Sequence, residues 1–138
     1  MGGKPVKLTA DTNILVRAIA EDDDAQSRLA QDLLLTAELV VLTTTALCEL
    51  VWVLSRGYRY PGDLIAEAVR RLADSDNVDV DRPAVDAGLT MMDAGGDFAD
   101  GVIAHEGRRR GAQTFVSFDK TAVTLLRGRG VEARLVAP

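Results

Sequence analysis

The sequence predicts an α/β domain built around a central parallel β-sheet. Three observations predict it. Short apolar-leaning stretches of strand character alternate with longer stretches of helical spacing along the chain. The run Leu39-Val40-Val41-Leu42 is continuously apolar, as a parallel strand covered on both faces must be. Two further strand candidates, residues 6–10 and 114–118, each hand over to a helix through an aspartate, Asp11 and Asp119. In open α/β sheets the carboxyl ends of parallel strands form the rim where ligands bind, so carboxylates distant in sequence can converge there. The 138 residues suit one domain spanning 1–138, with an ordered core of about 6–136.

The first strand, Val6-Lys7-Leu8-Thr9-Ala10, passes into the polar triplet Asp11-Thr12-Asn13 and a helix to about Ala20 carrying Ile14, Leu15 and Val16. The run Glu21-Asp22-Asp23-Asp24 caps the next helix, because acidic groups are favourable at a helix N-terminus. Consecutive exposed carboxylates of this kind make poor metal ligands. Leu29, Leu33 and Leu34 form that helix's expected apolar stripe, and Leu39–Leu42 follows as a strand.

Thr43-Thr44-Thr45 offers N-caps for a helix from about Thr45 to Ser55, which buries Leu47, Leu50, Val51 and Leu54. Glu49 lies in this mostly apolar helix between Cys48 and Leu50, with little polar face to point at, and is expected to face inward. The loop Arg56-Gly57-Tyr58-Arg59-Tyr60-Pro61-Gly62 is the one place where basic and aromatic residues interleave. It is either a helix connection with partly buried tyrosines or a docking element. A helix with Leu64, Ile65, Ala68, Val69 and Leu72 follows, then a short alternating strand at residues 78–81. Pro83 near the first helical position opens the next helix, through Val85, Leu89 and Met92.

Ala94-Gly95-Gly96 interrupts the chain before Asp97-Phe98-Ala99-Asp100. Asp97 and Asp100, three apart, share a face at a helix start, and N-capping explains one of them, preferably Asp97. Phe98, Val102 and Ile103 anchor the helix, leaving Asp100 toward the rim. Arg108-Arg109-Arg110-Gly111 ends it, with cations where the dipole favours them and glycine as the stop. The strand Thr114–Phe118 leads to Asp119 and a helix with Val123, Leu125 and Leu126. The segment 131–136 closes the chain as a charged edge strand.

Composition narrows the function classes. Apolar residues are 47% and charged residues 27%, which argues against disorder. The single cysteine, Cys48, excludes an internal disulfide and fits a reducing, cytoplasmic compartment. No apolar run approaches the roughly 18–20 residues of a membrane helix, and residues 1–5 lack a secretory signal. Gly2 does not make a myristoylation site, since Val6 stands where that motif wants Ser or Thr. A net charge of −5 argues against a broad basic nucleic-acid face but not against a nuclease, because bound divalent cations reverse the local field of a carboxylate site.

Asp11, Glu49, Asp100 and Asp119 therefore form a candidate carboxylate cluster. With one His and one Cys in the chain, such a cluster points away from zinc and toward Mg²⁺ or Mn²⁺, which prefer oxygen. Divalent ions so held activate water for displacement at phosphorus, the chemistry of a nuclease. His105 is better explained by helix packing or surface exposure than by general-base work, and Cys48 by the core. No glycine-rich nucleotide-cradling motif follows either strand.

Asp11-Thr12-Asn13, Glu49, Asp97-Phe98-Ala99-Asp100 with Val102-Ile103-Ala104, and Ser117-Phe118-Asp119 together resemble the PIN domain, most closely the VapC-type ribonuclease toxins of toxin–antitoxin pairs. The resemblance covers essentially the whole chain. It implies a three-layer α/β/α fold, Mg²⁺- or Mn²⁺-dependent cleavage of RNA (transfer or ribosomal RNA being usual targets), a homodimer, and a cognate VapB-type antitoxin that blocks activity. By residue, it implies catalytic roles for Asp11, Glu49, Asp100 and Asp119. Asp11, Asp100 and Asp119 hold metal, while Glu49 orients a water or holds a second metal. Thr12, Asn13 and Ser117 support the carboxylates by hydrogen bonds. Asp97 lies beside the quartet as a cap or a further site residue. Arg56, Arg59, Arg108, Arg109 and Arg110 are candidates for the RNA path. Two departures stand out: Gly101, which weakens its helix by roughly 1 kcal/mol relative to Ala, and Ser117 in place of the more frequent Thr. Two alternatives remain, a PIN-like protein-binding scaffold without nuclease activity and a receiver-like phosphoacceptor built on Asp119-Lys120.

Overall fold

Parallel pairing needs a crossover long enough to return the chain to the same edge, and the spacing of this sequence supplies helices for that purpose. The computed structural model describes residues 6–138; Met1–Pro5, and with them the readings of a signal and of Gly2, lie outside the described residues. The chain forms two compact units, Met1–Asp81 and Arg82–Pro138.

In the first unit, strands β1 (Lys7–Thr9), β2 (Leu39–Val41) and β3 (Val78–Asp79) form a parallel sheet in the order β1-β2-β3. The register sets Leu8 beside Val40 and Val40 beside Val78. Helices α1 (Thr12–Ala20) and α2 (Asp24–Thr36) connect β1 to β2. Helix α3 (Thr44–Trp52), a π-helical turn (Val53–Gly57) and α4 (Gly62–Asp74) connect β2 to β3. The Asn77 amide donates to the carbonyls of Leu34 (2.8 Å) and Ala37 (3.0 Å), tying the end of α2 to the approach of β3.

The second unit contains α5 (Arg82–Asp93), α6 (Phe98–Arg109), β4 (Phe115–Ser117), α7 (Lys120–Gly128) and β5 (Ala133–Leu135). Strands β4 and β5 pair in parallel, Phe115 beside Ala133 and Ser117 beside Leu135. Met91, Ala104, Val123, Leu126 and Ala133 form a core cluster. Two glycines let α5 and α6 approach closely. A Cβ at Gly101 would sit 2.4 Å from the Ala87 carbonyl oxygen, and one at Gly88 would sit 2.5 Å from the Phe98 ring. The helix-weakening Gly101 is thus a packing requirement, which the sequence pattern alone did not reveal.

The structure corrects several expected burials. Leu29 (70% exposed) and Leu33 are exposed along the groove between α1 and α2, and the buried residues of α2 are Ser27 and Ala30. In α4, Leu64 is exposed while Ile65, Ala66, Val69 and Ala73 are buried. In α5 the buried methionine is Met91 rather than Met92. Ile103 is exposed, so Phe98 and Val102 anchor α6 without it. Each error has one cause: where apolar residues are adjacent, spacing cannot decide which of them turns inward.

The helix expected through Ser55 changes pitch after Trp52, where Tyr58 N–H donates to the Val53 carbonyl at 3.1 Å. Such π turns are uncommon and concentrate at functional sites. Arg59 follows at φ 57°, a left-handed conformation uncommon for a residue with a side chain. The expected capping by the acidic run holds: Asp23 Oδ1 accepts from Gln26 N–H at 3.0 Å.

Candidate functional site

A helix N-terminus leaves backbone N–H groups without partners, and an aspartate placed just before it satisfies one or two of them while keeping its charge near the positive end of the dipole. Besides Asp23, three candidate site residues use that device. Asp11 caps α1, its Oδ1 accepting from Thr12 N–H at 2.8 Å. Asp97 caps α6, accepting from Ala99 N–H at 3.3 Å. Asp119 caps α7, its Oδ1 accepting from Thr121 N–H (2.9 Å) and Ala122 N–H (3.2 Å). In each case the cap engages Oδ1, and Oδ2 takes no part in it. Capping fixes the direction of the carboxylate and leaves one oxygen for chemistry.

In the first unit, Asp11 is joined by Thr12 and Glu49. Thr12 Oγ1 donates to Glu49 Oε1 at 3.1 Å, linking the first turn of α1 to the middle of α3. Glu49 does not face inward as expected. It is exposed, on a stripe of α3 with Thr45 and Trp52, while Ala46, Leu47, Leu50 and Val51 fill the opposite face. The apolar neighbours hid a polar face because helical positions 45, 49 and 52 align although they are not adjacent. Asn13 is exposed and lines the groove between α1 and α2 beside Ile14 and Leu29. Its side chain makes no hydrogen bond with a carboxylate among the described residues.

In the second unit, Asp100 occupies the first turn of α6, half-buried. Burial raises its carboxyl pKa above the ordinary value, and the negative charges of Asp97 and Asp119 raise it further. Ser117 Oγ accepts from Asp119 N–H at 2.9 Å, so it fixes the backbone under Asp119. Among the described residues, no three Asp, Glu, His or Cys side chains are gathered into a preformed metal-holding group. The donor set nevertheless fits a hard divalent cation, being carboxylate oxygen throughout, with a mutual repulsion that a cation relieves.

The basic candidates divide the same way. Arg56 and Arg59 are exposed at the π turn, and Arg108, Arg109 and Arg110 are exposed at the end of α6. Gly111, at φ 102°, stops that helix as expected. The interleaved loop holds a contact that the sequence did not suggest: Asp22 accepts from Arg17 Nη1 and from the Tyr58 hydroxyl, both at 2.7 Å. These bonds hold the Asp22 carboxyl below its ordinary pKa, with the tyrosine bond foremost.

The PIN domain family model matches residues 9–124, from β1 into α7. The chain belongs to the PIN domain family. No curated protein matches it. The α/β class read from the sequence, with parallel strands in a three-layer α/β/α domain, is the fold of this family. PIN domains are nucleases, frequent in toxin–antitoxin systems, and typically use divalent metals; membership implies a nucleic-acid substrate. The receiver-like alternative is set aside by this membership. Among the described residues, no helix of this PIN domain is long and apolar enough to cross a membrane.

Proposed function

We propose that this PIN domain is a metal-dependent endoribonuclease and the toxin of a VapBC-type pair, with Asp11, Glu49, Asp100 and Asp119 as its catalytic residues. The family match supports this reading, and it runs unbroken across both units, consistent with one domain over residues 1–138. The observation that carries the site assignment is the repeated strand-end aspartate. Asp11 after β1 and Asp119 after β4 both cap the following helix through Oδ1, a shared geometry that keeps the second oxygen for a ligand.

Asp11, Asp100 and Asp119 hold Mg²⁺ or Mn²⁺ in this reading, with Asp97 beside them. When bound, the metal activates water and neutralises charge developing on the phosphate and the leaving oxygen. Glu49, oriented by the Thr12 hydroxyl, positions the attacking water and accepts its proton. Ser117 fixes Asp119 through its backbone N–H. Arg56, Arg59, Arg108, Arg109 and Arg110 neutralise phosphates along the RNA, either transfer or ribosomal. The protein acts in the cytoplasm as a homodimer, and the antitoxin inhibits it by setting a basic side chain among the carboxylates.

The deciding experiment is cleavage of structured RNA by purified protein with Mg²⁺, Mn²⁺ or EDTA, comparing wild type with Asp11→Asn and Asp100→Asn. Metal-dependent cutting lost in both variants is the expected result. If purified wild-type protein cuts nothing, or the variants cut equally well, the catalytic assignment fails and a protein-binding scaffold becomes the better reading.

A further inference from the structure

The chain has few aromatic residues, one Trp, two Tyr and three Phe, and most of them are engaged in the fold. Phe98 is buried, and Phe115 packs against the core of the second unit. The Tyr58 and Tyr60 rings lie against each other, with centroids 5.6 Å apart. The other two rings are open to solvent: Trp52 is 64% exposed and Phe118 is 78% exposed. A single exposed apolar side chain needs no explanation. What needs one is the company these two keep.

Each exposed ring stands beside a proposed catalytic carboxylate and a cation. In the first unit, Glu49, Trp52 and Arg56 are separated by steps of three and four residues, each close to one helical turn, so they run along one exposed face of α3 and the π turn that continues it. In the second unit, Phe118, Asp119 and Lys120 are consecutive and all exposed where β4 passes into α7. Neither Arg56 nor Lys120 makes an ion pair among the described residues. Single-stranded nucleic acid is held by such a set: cations meet its phosphates, and rings stack on its bases, each of which offers a π-face once it is unpaired. Bases within a duplex are stacked on one another and offer none, so the rings favour single strands and splayed loops. A protein partner fits less well. The centre of a protein interface is depleted in charged residues, whereas here each ring has a carboxylate and a cation beside it.

We propose that Trp52 and Phe118 are base-stacking residues that hold unpaired nucleotides of the RNA beside Glu49 and Asp119, with Arg56 and Lys120 on the neighbouring phosphates. This rests on the nuclease reading for the reacting phosphate, and it goes beyond that reading by naming the side chains that select unpaired RNA.

Trp52 is the single tryptophan of the chain, so its fluorescence reports on this position alone. The test is titration of the full-length protein, in EDTA at low salt, with a single-stranded oligoribonucleotide. The oligomer is expected to quench Trp52, and an abasic oligomer of the same length, which keeps the phosphates and lacks the bases, is expected not to. Binding of the labelled oligomer, followed by anisotropy, should weaken about 5- to 100-fold in Trp52→Ala, as the loss of one stacked base does. Trp52→Phe should recover most of that loss, and Phe118→Ala should weaken binding to a similar degree. Melting temperatures should hold, because both rings are exposed. Equal quenching by the abasic oligomer, a duplex bound as tightly as the single strand, or either alanine variant binding as wild type overturns the proposal. So does a Trp52→Ala protein that sediments as a smaller species, which would place the ring between two copies of the chain. The two readings fail separately. Protein that binds and is quenched yet never cuts RNA with Mg²⁺ or Mn²⁺ keeps the stacking residues and loses the nuclease; protein that cuts, with both alanine variants binding as wild type, does the reverse.

Discussion

Thr12 Oγ1 donates a 3.1 Å hydrogen bond to Glu49 Oε1, so the residue after the strand-end aspartate restrains a carboxylate 37 positions away. Glu49 is exposed, and without this bond its side chain would sample several rotamers. Thr12→Val keeps the shape and removes the donor. Stability should change by about 1 kcal/mol or less, while RNA cleavage should fall about 10- to 100-fold, as for other groups that orient a reacting carboxylate. Thr12→Ser should restore most of the activity. A kinetic comparison of the three proteins decides it; equal rates for Val and wild type would remove Thr12 from the machinery.

Asp100 should show an opposition between stability and function. Its raised pKa, due to burial first and then to Asp97 and Asp119, means that the folded protein holds the Asp100 proton more tightly than the unfolded chain. Ionisation of this group therefore weakens folding as pH rises above the ordinary carboxylate value. Asp100→Asn should raise the melting temperature of metal-free protein at neutral pH by about 1–3 °C, and that advantage should shrink as pH falls and the wild-type carboxyl takes up its proton. The same substitution should abolish cleavage. Thermal scans with EDTA between pH 4 and 8 (roughly spanning the titration) test the first part; a melting temperature lowered at neutral pH contradicts it.

How far the sequence revealed this arrangement depended on which physical signal each feature leaves. An aspartate at the start of a helix is a local signal, so Asp11 and Asp119 after strands and Asp97 after a glycine turn could be placed at helix starts from residue type and spacing alone. Helix faces were readable where apolar residues recur at regular spacing, as with Leu47, Leu50, Val51 and Leu54. They were not where a second apolar residue stands next in the chain: Leu29, Leu33 and Ile103 turn outward because tertiary neighbours, not spacing, choose between adjacent residues. The exposure of Glu49 follows from the alignment of positions 45, 49 and 52 that its apolar neighbours masked, whereas the gathering of Arg129 with Arg108 depends on contacts between separate elements, which no local pattern encodes.

Gly101 gives a sharper test of the fold. Helix propensity alone says that Gly101→Ala should stabilise α6 by about 1 kcal/mol. Packing says the reverse, because the added Cβ would lie 2.4 Å from the Ala87 carbonyl oxygen and 2.9 Å from Met91 Cβ, and the nearer contact is backbone. Overpacking of this kind costs about 1–3 kcal/mol or more, so it should win. Denaturant unfolding should show a lower midpoint for Gly101→Ala, and a higher one would mean that α5 and α6 lie farther apart.

The contact among Arg17, Asp22 and Tyr58 predicts a pH signature at both extremes. Asp22 has a lowered pKa, chiefly through the Tyr58 hydroxyl and then Arg17, so its contribution is present above the ordinary carboxylate pKa and is lost as pH falls through the lowered value. Tyr58 has a raised pKa, chiefly through Asp22, so its contribution is complete below the ordinary phenol value and is lost as pH rises through the raised one. Tyr58→Phe removes the shared hydrogen bond and should lower the melting temperature by a nearly constant amount from about pH 5 to 9. The gap between variant and wild type should close toward acid and again toward strong alkali. Because all three groups are solvent-accessible, the effect should be small and should persist in salt only as far as the hydrogen bonds, rather than the Arg17 charge, carry it. A difference that is absent at pH 7, or that widens toward either extreme, would show that the contact does not hold the turn after α1 to the π-helical segment.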